Sequence, residues 1–100
     1  MTFSAFYDLQ LPQESSQPVV AFVRGSEIRK NLLGLLTSGP KTPTKLASME
    51  QKHVSHVSRA LGELRSRGLV VSWTTDSREH YYTVTSQGYA VFSMLSRAAK

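Results

Sequence analysis

TPTKLASMEQKHVSHVSRALGELRSRGLVV, Thr42 to Val71, is the stretch that decides how this chain folds. Thr42-Pro43 opens a helix, with threonine as the N-cap and proline at the first helical position, where its missing N–H costs nothing. Leu46 and Ala47 face inward on this short helix. Beyond Met49-Glu50-Gln51-Lys52, the apolar residues Val54, Val57, Leu61 and Leu64 recur at i, i+3, i+7 and i+10, the repeat of a longer amphipathic helix. Ser55, His56, Arg59 and Glu63 are left for its opposite or flanking faces. Gly68 supplies a left-handed C-terminal stop, and apolar strand residues follow directly.

Working outward, Ser26 offers a cap for an earlier helix whose stripe is Ile28, Leu32, Leu35 and Leu36, ended by Gly39-Pro40. Pro18 to Arg24 (PVVAFVR) is a strand or one to two turns of helix, because an apolar run that short does not declare its period. Downstream, Leu69 to Thr74 and His80 to Val84 are rich in β-branched and aromatic residues and flank Asp76, Ser77, Arg78 and Glu79, a β-hairpin with a charged tip. Trp73 and Tyr81 or Tyr82 read most simply as hairpin core, with stacking on bases the alternative. Thr85-Ser86 can cap a last helix from Gln87 to about Ala99, whose Tyr89, Val91, Phe92, Met94, Leu95 and Ala98 spread apolar surface over more than one stripe. One side of it then suits the core and another a partner chain. Residues 1–18 hold two prolines but also Phe3, Phe6, Tyr7, Leu9 and Leu11, so they read as an arm that packs on the domain or on a second subunit, with plain disorder the alternative.

One hundred residues fit a single small domain with little surplus core, which makes a second subunit worth expecting. Lys and Arg number 12 against 7 Asp and Glu, and nine of those bases against three acids lie between Arg24 and Gly68. A basic middle suits a polyanionic partner, since cations near phosphates release condensed counterions. Basic solvated helix faces that bind nothing are the plainer alternative. Cysteine is absent, which removes disulfides, thiolate metal sites and thiol redox sensing. Apolar runs of only a few residues and an N-terminus without a basic start argue against a membrane span or signal peptide, and for a cytoplasmic, nucleoid-associated protein.

Helix, helix, helix, hairpin, helix, with a helix-turn-helix at its centre, is an order that presents one helix to a DNA groove. Ser55-His56-Val57-Ser58-Arg59-Ala60-Leu61, running through Glu63-Leu64 to Arg67-Gly68-Leu69-Val70, resembles the recognition helix and wing entry of prokaryotic winged helix-turn-helix regulators of the ArsR and MarR type, particularly small archaeal ones. Leu46-Ala47, eleven positions before Ser58, is similar to that family's packed second helix, and Tyr82 to Gly88 to its returning wing strand and the cap beyond. The resemblance spans about Ser26 to Leu95. It implies an α+β, mostly helical fold over residues 19–100: a three-helix core, a two-stranded β-hairpin wing and a C-terminal helix. Where relatives often carry glycine between the two helices, this chain has Met49-Glu50-Gln51-Lys52. The family's cysteine-rich metal sites have no counterpart.

By that resemblance the first turns of the third helix enter the major groove, making Ser55, His56 and Arg59 the readers of base edges. Arg59 leads, because a guanidinium can take guanine O6 and N7 with two hydrogen bonds. The plainer reading of Arg59 is a surface ion pair with Glu63, four residues on. Val54 suits either the core or a thymine methyl. Lys52 and His53 stand before the helix, within reach of phosphates, and Thr42, Thr44 and Lys45 stand at a helix N-terminus, where free N–H groups attract anions. Arg78 suits a minor groove, although Asp76 and Glu79 beside it repel phosphate. Arg65 and Arg67 suit either the DNA backbone or the helix dipole. His53 and His56 lack the further ligand a metal site needs, no nucleophile, base and orienting acid assemble, and no cofactor-binding loop appears. The expectation is a sequence-specific double-stranded-DNA-binding transcriptional regulator, not an enzyme, acting as a homodimer through the arm and the last helix. The alternatives are a winged-helix module that docks another protein, and an architectural or RNA-binding protein using charge alone.

Overall fold

The computed structural model describes residues 18–98. The arm expected over residues 1–18, with its apolar groups from Phe3 to Leu11, lies outside the described residues except for Pro18. Five helices and a hairpin follow: α1 (residues 18–24), α2 (Glu27–Leu36), α3 (Pro43–Glu50), α4 (Val54–Ser66), β1 (Val70–Thr74), β2 (His80–Val84) and α5 (Ser86–Ala98). This is the mostly helical winged arrangement that the sequence implies. The open question at PVVAFVR resolves as helix, because Val20 and Val23, three apart, are both buried against the core.

The starts of α2 and α3 follow their sequence signals. Ser26 Oγ accepts from the Arg29 N–H (3.3 Å) to cap α2, and Thr42 Oγ1 accepts from the Lys45 N–H (3.1 Å) to cap α3. In α2 the buried residues are Leu32, Leu33 and Leu36, while Ile28 and Leu35 are half-buried. Leu33 joins the expected stripe because α3, α4, α5 and the hairpin all pack on α2, so more than one side of it is covered. Lys41 closes the far end of α2, its Nζ donating to the Leu35 carbonyl (2.9 Å) and Ser38 Oγ (2.8 Å).

Between α3 and α4 the chain turns without glycine. Gln51 takes the left-handed conformation (φ 56°, ψ 47°), and the Lys52 N–H returns to the Ala47 carbonyl (3.0 Å). A side chain in that conformation costs roughly 1–2 kcal/mol. From there α4 buries Val57, Ala60, Leu61 and Leu64. Val54 departs from the expected stripe: it is 44% exposed, because the elements packed on α4 cover it only from Val57 onward. Gly68 (φ 76°) ends the helix, with the Leu69 N–H bonded to the Leu64 carbonyl (3.0 Å).

β1 and β2 pair antiparallel, Val70 opposite Val84 and Trp73 opposite Tyr81, and Lys41 adds a bridge to Tyr82. Strand parity corrects one expectation. With Val70 turned into the core, Val71 and Trp73 must point away, and they are 46% and 42% exposed. Trp73 is therefore not hairpin core. It stacks on Tyr81, ring centroids 6.1 Å apart, whereas Tyr82 packs against the core. Thr85 caps α5, accepting from the Gly88 N–H at Oγ1 (3.0 Å) and donating to the Gly68 carbonyl (2.7 Å). α5 buries Val91 and Leu95 and exposes Tyr89 and Met94. Among the described residues no helix is long and apolar enough to cross a membrane.

Gly62, in the middle of α4, has open space where a side chain would stand. Gly62→Ala is expected to stabilise the domain by about 0.5–1 kcal/mol, because alanine loses less backbone entropy than glycine on entering a helix. Thermal unfolding measures it, and a lower melting temperature would show a contact that this geometry lacks.

Candidate nucleic-acid interface

The first two turns of α4 stand clear of the protein. Val54, Ser55, His56, Ser58 and Arg59 are all exposed, and Val57 alone among residues 54–59 is buried. His53 begins the helix without a side-chain cap, so the first-turn N–H groups of α4 have no side-chain acceptor. Its ring lies edge-on to that of His56, centroids 6.1 Å apart. Among the described residues, no group of three or more metal-ligating side chains forms.

Two grooves flank this ridge. On the hairpin side, Thr42 at the cap of α3 and Thr44, Lys45 and Ser48 within it face Ser58 of α4, Glu79 of the hairpin turn, and His80 and Tyr82 of β2. On the α2 side, Lys52, His56 and Arg59 share a groove with Glu27, Asn31, Glu50 and Glu63. The expected residues are thus brought together in two sets, with Ser55 and His53 exposed near the start of α4. Arg78 lines neither groove. It sits at the hairpin tip in a left-handed conformation (φ 69°), its N–H bonded to the Thr75 carbonyl (2.8 Å). Beside it Tyr81 donates to Glu79 Oε1 (3.1 Å), and that hydrogen bond, with the carboxylate's charge, raises the phenol's pKa above its ordinary value.

Ser58 and His80 are additional groove residues. Ser58 had a local signal, three residues after Ser55 on the same helix face, but His80 had none before the hairpin was docked against α3. The basic stretch also narrows. Lys41 is spent on the end of α2, and Arg29 and Arg67 both lie over the Phe22 ring, at 3.8 and 4.1 Å from its centroid. Arg65 reaches Ser72 Oγ at 3.3 Å. The expected alternative for Arg59 does not form: Glu63 pairs with Arg29 (2.9 Å), and among the described residues Arg59 has no ion-pair partner.

No protein-family model and no curated protein sequence matches the chain. Solved structures do. Lactococcus lactis ZitR, a zinc-responsive MarR family member, is 19% identical with a TM-score of 0.66, over 72% of this chain and 51% of ZitR. ZitR in complex with DNA is 25% identical (TM-score 0.61), over 66% of this chain and 47% of ZitR. The transcriptional regulator BldR from Sulfolobus solfataricus is 17% identical (TM-score 0.68), over 93% of this chain and 72% of BldR. The adhesin competence repressor AdcR of Streptococcus pyogenes is 17% identical (TM-score 0.68), over 90% of this chain and 73% of AdcR. The chain spans about half the length of ZitR. The likeness is one of fold: the described chain is a winged helix-turn-helix of the kind built by MarR-family transcriptional regulators.

Proposed function

We propose that this domain binds double-stranded DNA sequence-specifically and regulates transcription, with α4 in the major groove and the hairpin on the adjacent backbone or minor groove. One observation carries the reading: on the first two turns of α4 the outward side chains are exposed and, Val54 apart, polar, and grooves bearing Lys45 on one side and Lys52 on the other flank them. Ser55, His56 and Arg59 read base edges, and exposed Val54 is placed to meet a thymine methyl. Thr42, Thr44 and Lys45 at the start of α3, with Lys52 and His53 at the uncapped start of α4, take phosphates, and Arg78 serves the wing. That ZitR has been solved in complex with DNA supports DNA binding by this fold.

The protein acts as a homodimer through α5 and the N-terminal arm. Support comes from Tyr89 and Met94, 56% and 45% exposed on the helix that also carries the buried Val91 and Leu95. A two-fold dimer sets its two reading helices about one DNA turn apart, ~34 Å, on a pseudo-palindrome. A transcriptional regulator of this kind acts at the nucleoid, in the cytoplasm.

Selection of bound fragments from random duplex DNA, at near-physiological salt, tests this directly. The expected product is a pseudo-palindrome whose affinity falls steeply with added salt. A protein without any salt-dependent duplex binding would instead be a winged-helix module for docking another protein.

A further inference from the structure

The three acids of the basic stretch, Glu27, Glu50 and Glu63, all line the groove that holds His56 and Arg59. Carboxylates there oppose a polyanion. Glu63 matters most, because residues four apart on a helix are neighbours, and a free Glu63 would draw the Arg59 guanidinium back along α4.

α2 takes that carboxylate away. Arg29 donates to Glu63 Oε1 from Nε (3.0 Å) and from one terminal nitrogen (2.9 Å), a bond pair spanning 34 residues of chain. Its other terminal nitrogen donates to the Phe22 carbonyl (2.9 Å) at the end of α1, and its guanidinium lies 3.8 Å from the Phe22 ring centroid. The Arg29 guanidinium is thus tied to α4 on one side and α1 on the other. A planar fork used in this way is fixed in orientation and has little freedom left to reach a phosphate. The pair is only partly exposed, 23% for the Arg29 side chain and 40% for that of Glu63, so solvent screens it less than a fully open pair.

We propose that Arg29 is a positioning residue for DNA reading: by holding Glu63 against α2 it keeps Arg59 free to reach a base edge. The inference rests on the DNA-binding reading of α4. It assigns the Arg29–Glu63 pair a role in affinity and discrimination without either residue touching a base.

Four proteins test it on the selected duplex and on a random one: wild type, R29Q, E63Q and R29Q/E63Q. R29Q leaves Glu63 charged and unheld, and is expected to lose about fivefold in affinity for the selected duplex, from competition for Arg59 and repulsion of phosphate. The loss shrinks as salt is raised. E63Q binds at least as well as wild type, and the double variant returns to within about twofold of it, because the offending charge is gone. Thermal unfolding of all four accompanies the titrations. If R29Q/E63Q binds as poorly as R29Q, Arg29 acts through the fold alone and the proposal is wrong. A wild-type protein that binds no duplex overturns the DNA reading itself, which separates that failure from this one.

Discussion

Arg59→Ala is expected to cost about 1–3 kcal/mol on the selected duplex and little on random DNA. Arg59 stands on the sixth residue of α4, exposed, and among the described residues it has no ion-pair partner. The carboxylate that a helix would offer it, Glu63, is bonded twice to Arg29. A guanidinium left free on a protruding helix face can give two hydrogen bonds to one guanine, and alanine loses both. Quantitative binding to both duplexes at one fixed salt concentration measures the difference. Equal losses on the two would sink base reading at this position and leave Arg59 a phosphate contact.

Gly88→Ala is expected to destabilise the domain by about 3 kcal/mol or more, a fall in melting temperature of at least about 12 °C for a domain of this size. The start of α5 is drawn tightly onto the entry to β1. The Thr85 N–H bonds the Leu69 carbonyl (3.0 Å), and Thr85 Oγ1 donates to the Gly68 carbonyl (2.7 Å). A β-carbon on Gly88 would overlap the Leu69 carbonyl oxygen and come within 2.7 Å of Val84 Cγ2. Backbone cannot swing aside as a side-chain tip can, so the helix must move and those bonds must lengthen. Unfolding by heat and by urea reads the effect. A loss below about 1 kcal/mol would mean that α5 is not seated as closely as described.

These two residues differ in how far the sequence revealed them. Thr85-Ser86 and Gly88 were visible as a helix start, but nothing local shows that Gly88 meets the Leu69 carbonyl. Arg59 stood out in the sequence as the leading candidate reader, and its neighbour Glu63 offered the plainer alternative of an ion pair. Val57, Leu61 and Leu64 were legible as core from period alone, Leu46 and Ala47 as the inward side of a short capped helix, and all five are buried. Val54 fits the same period and is exposed. Periodicity names the face of a helix, while burial also requires that a neighbour extend far enough to cover it. Trp73 fails differently: its composition suggested core, and the parity set by Val70 turned it outward.

Local signals in the sequence specify the element order from α2 onward, the caps at Ser26, Thr42 and Thr85, the stop at Gly68 and the hairpin, because each depends on interactions within a few residues. Tertiary structure decided that Gln51 takes the left-handed turn position, that His80 faces the start of α3, and that Arg29 rather than Arg59 holds Glu63. Partner choice across 34 residues follows from how α2 lies against α4, and that packing is a property of the assembled core. Local rules can say that Arg59 and Glu63 are close enough to pair. They cannot say that a better-placed guanidinium arrives from another helix.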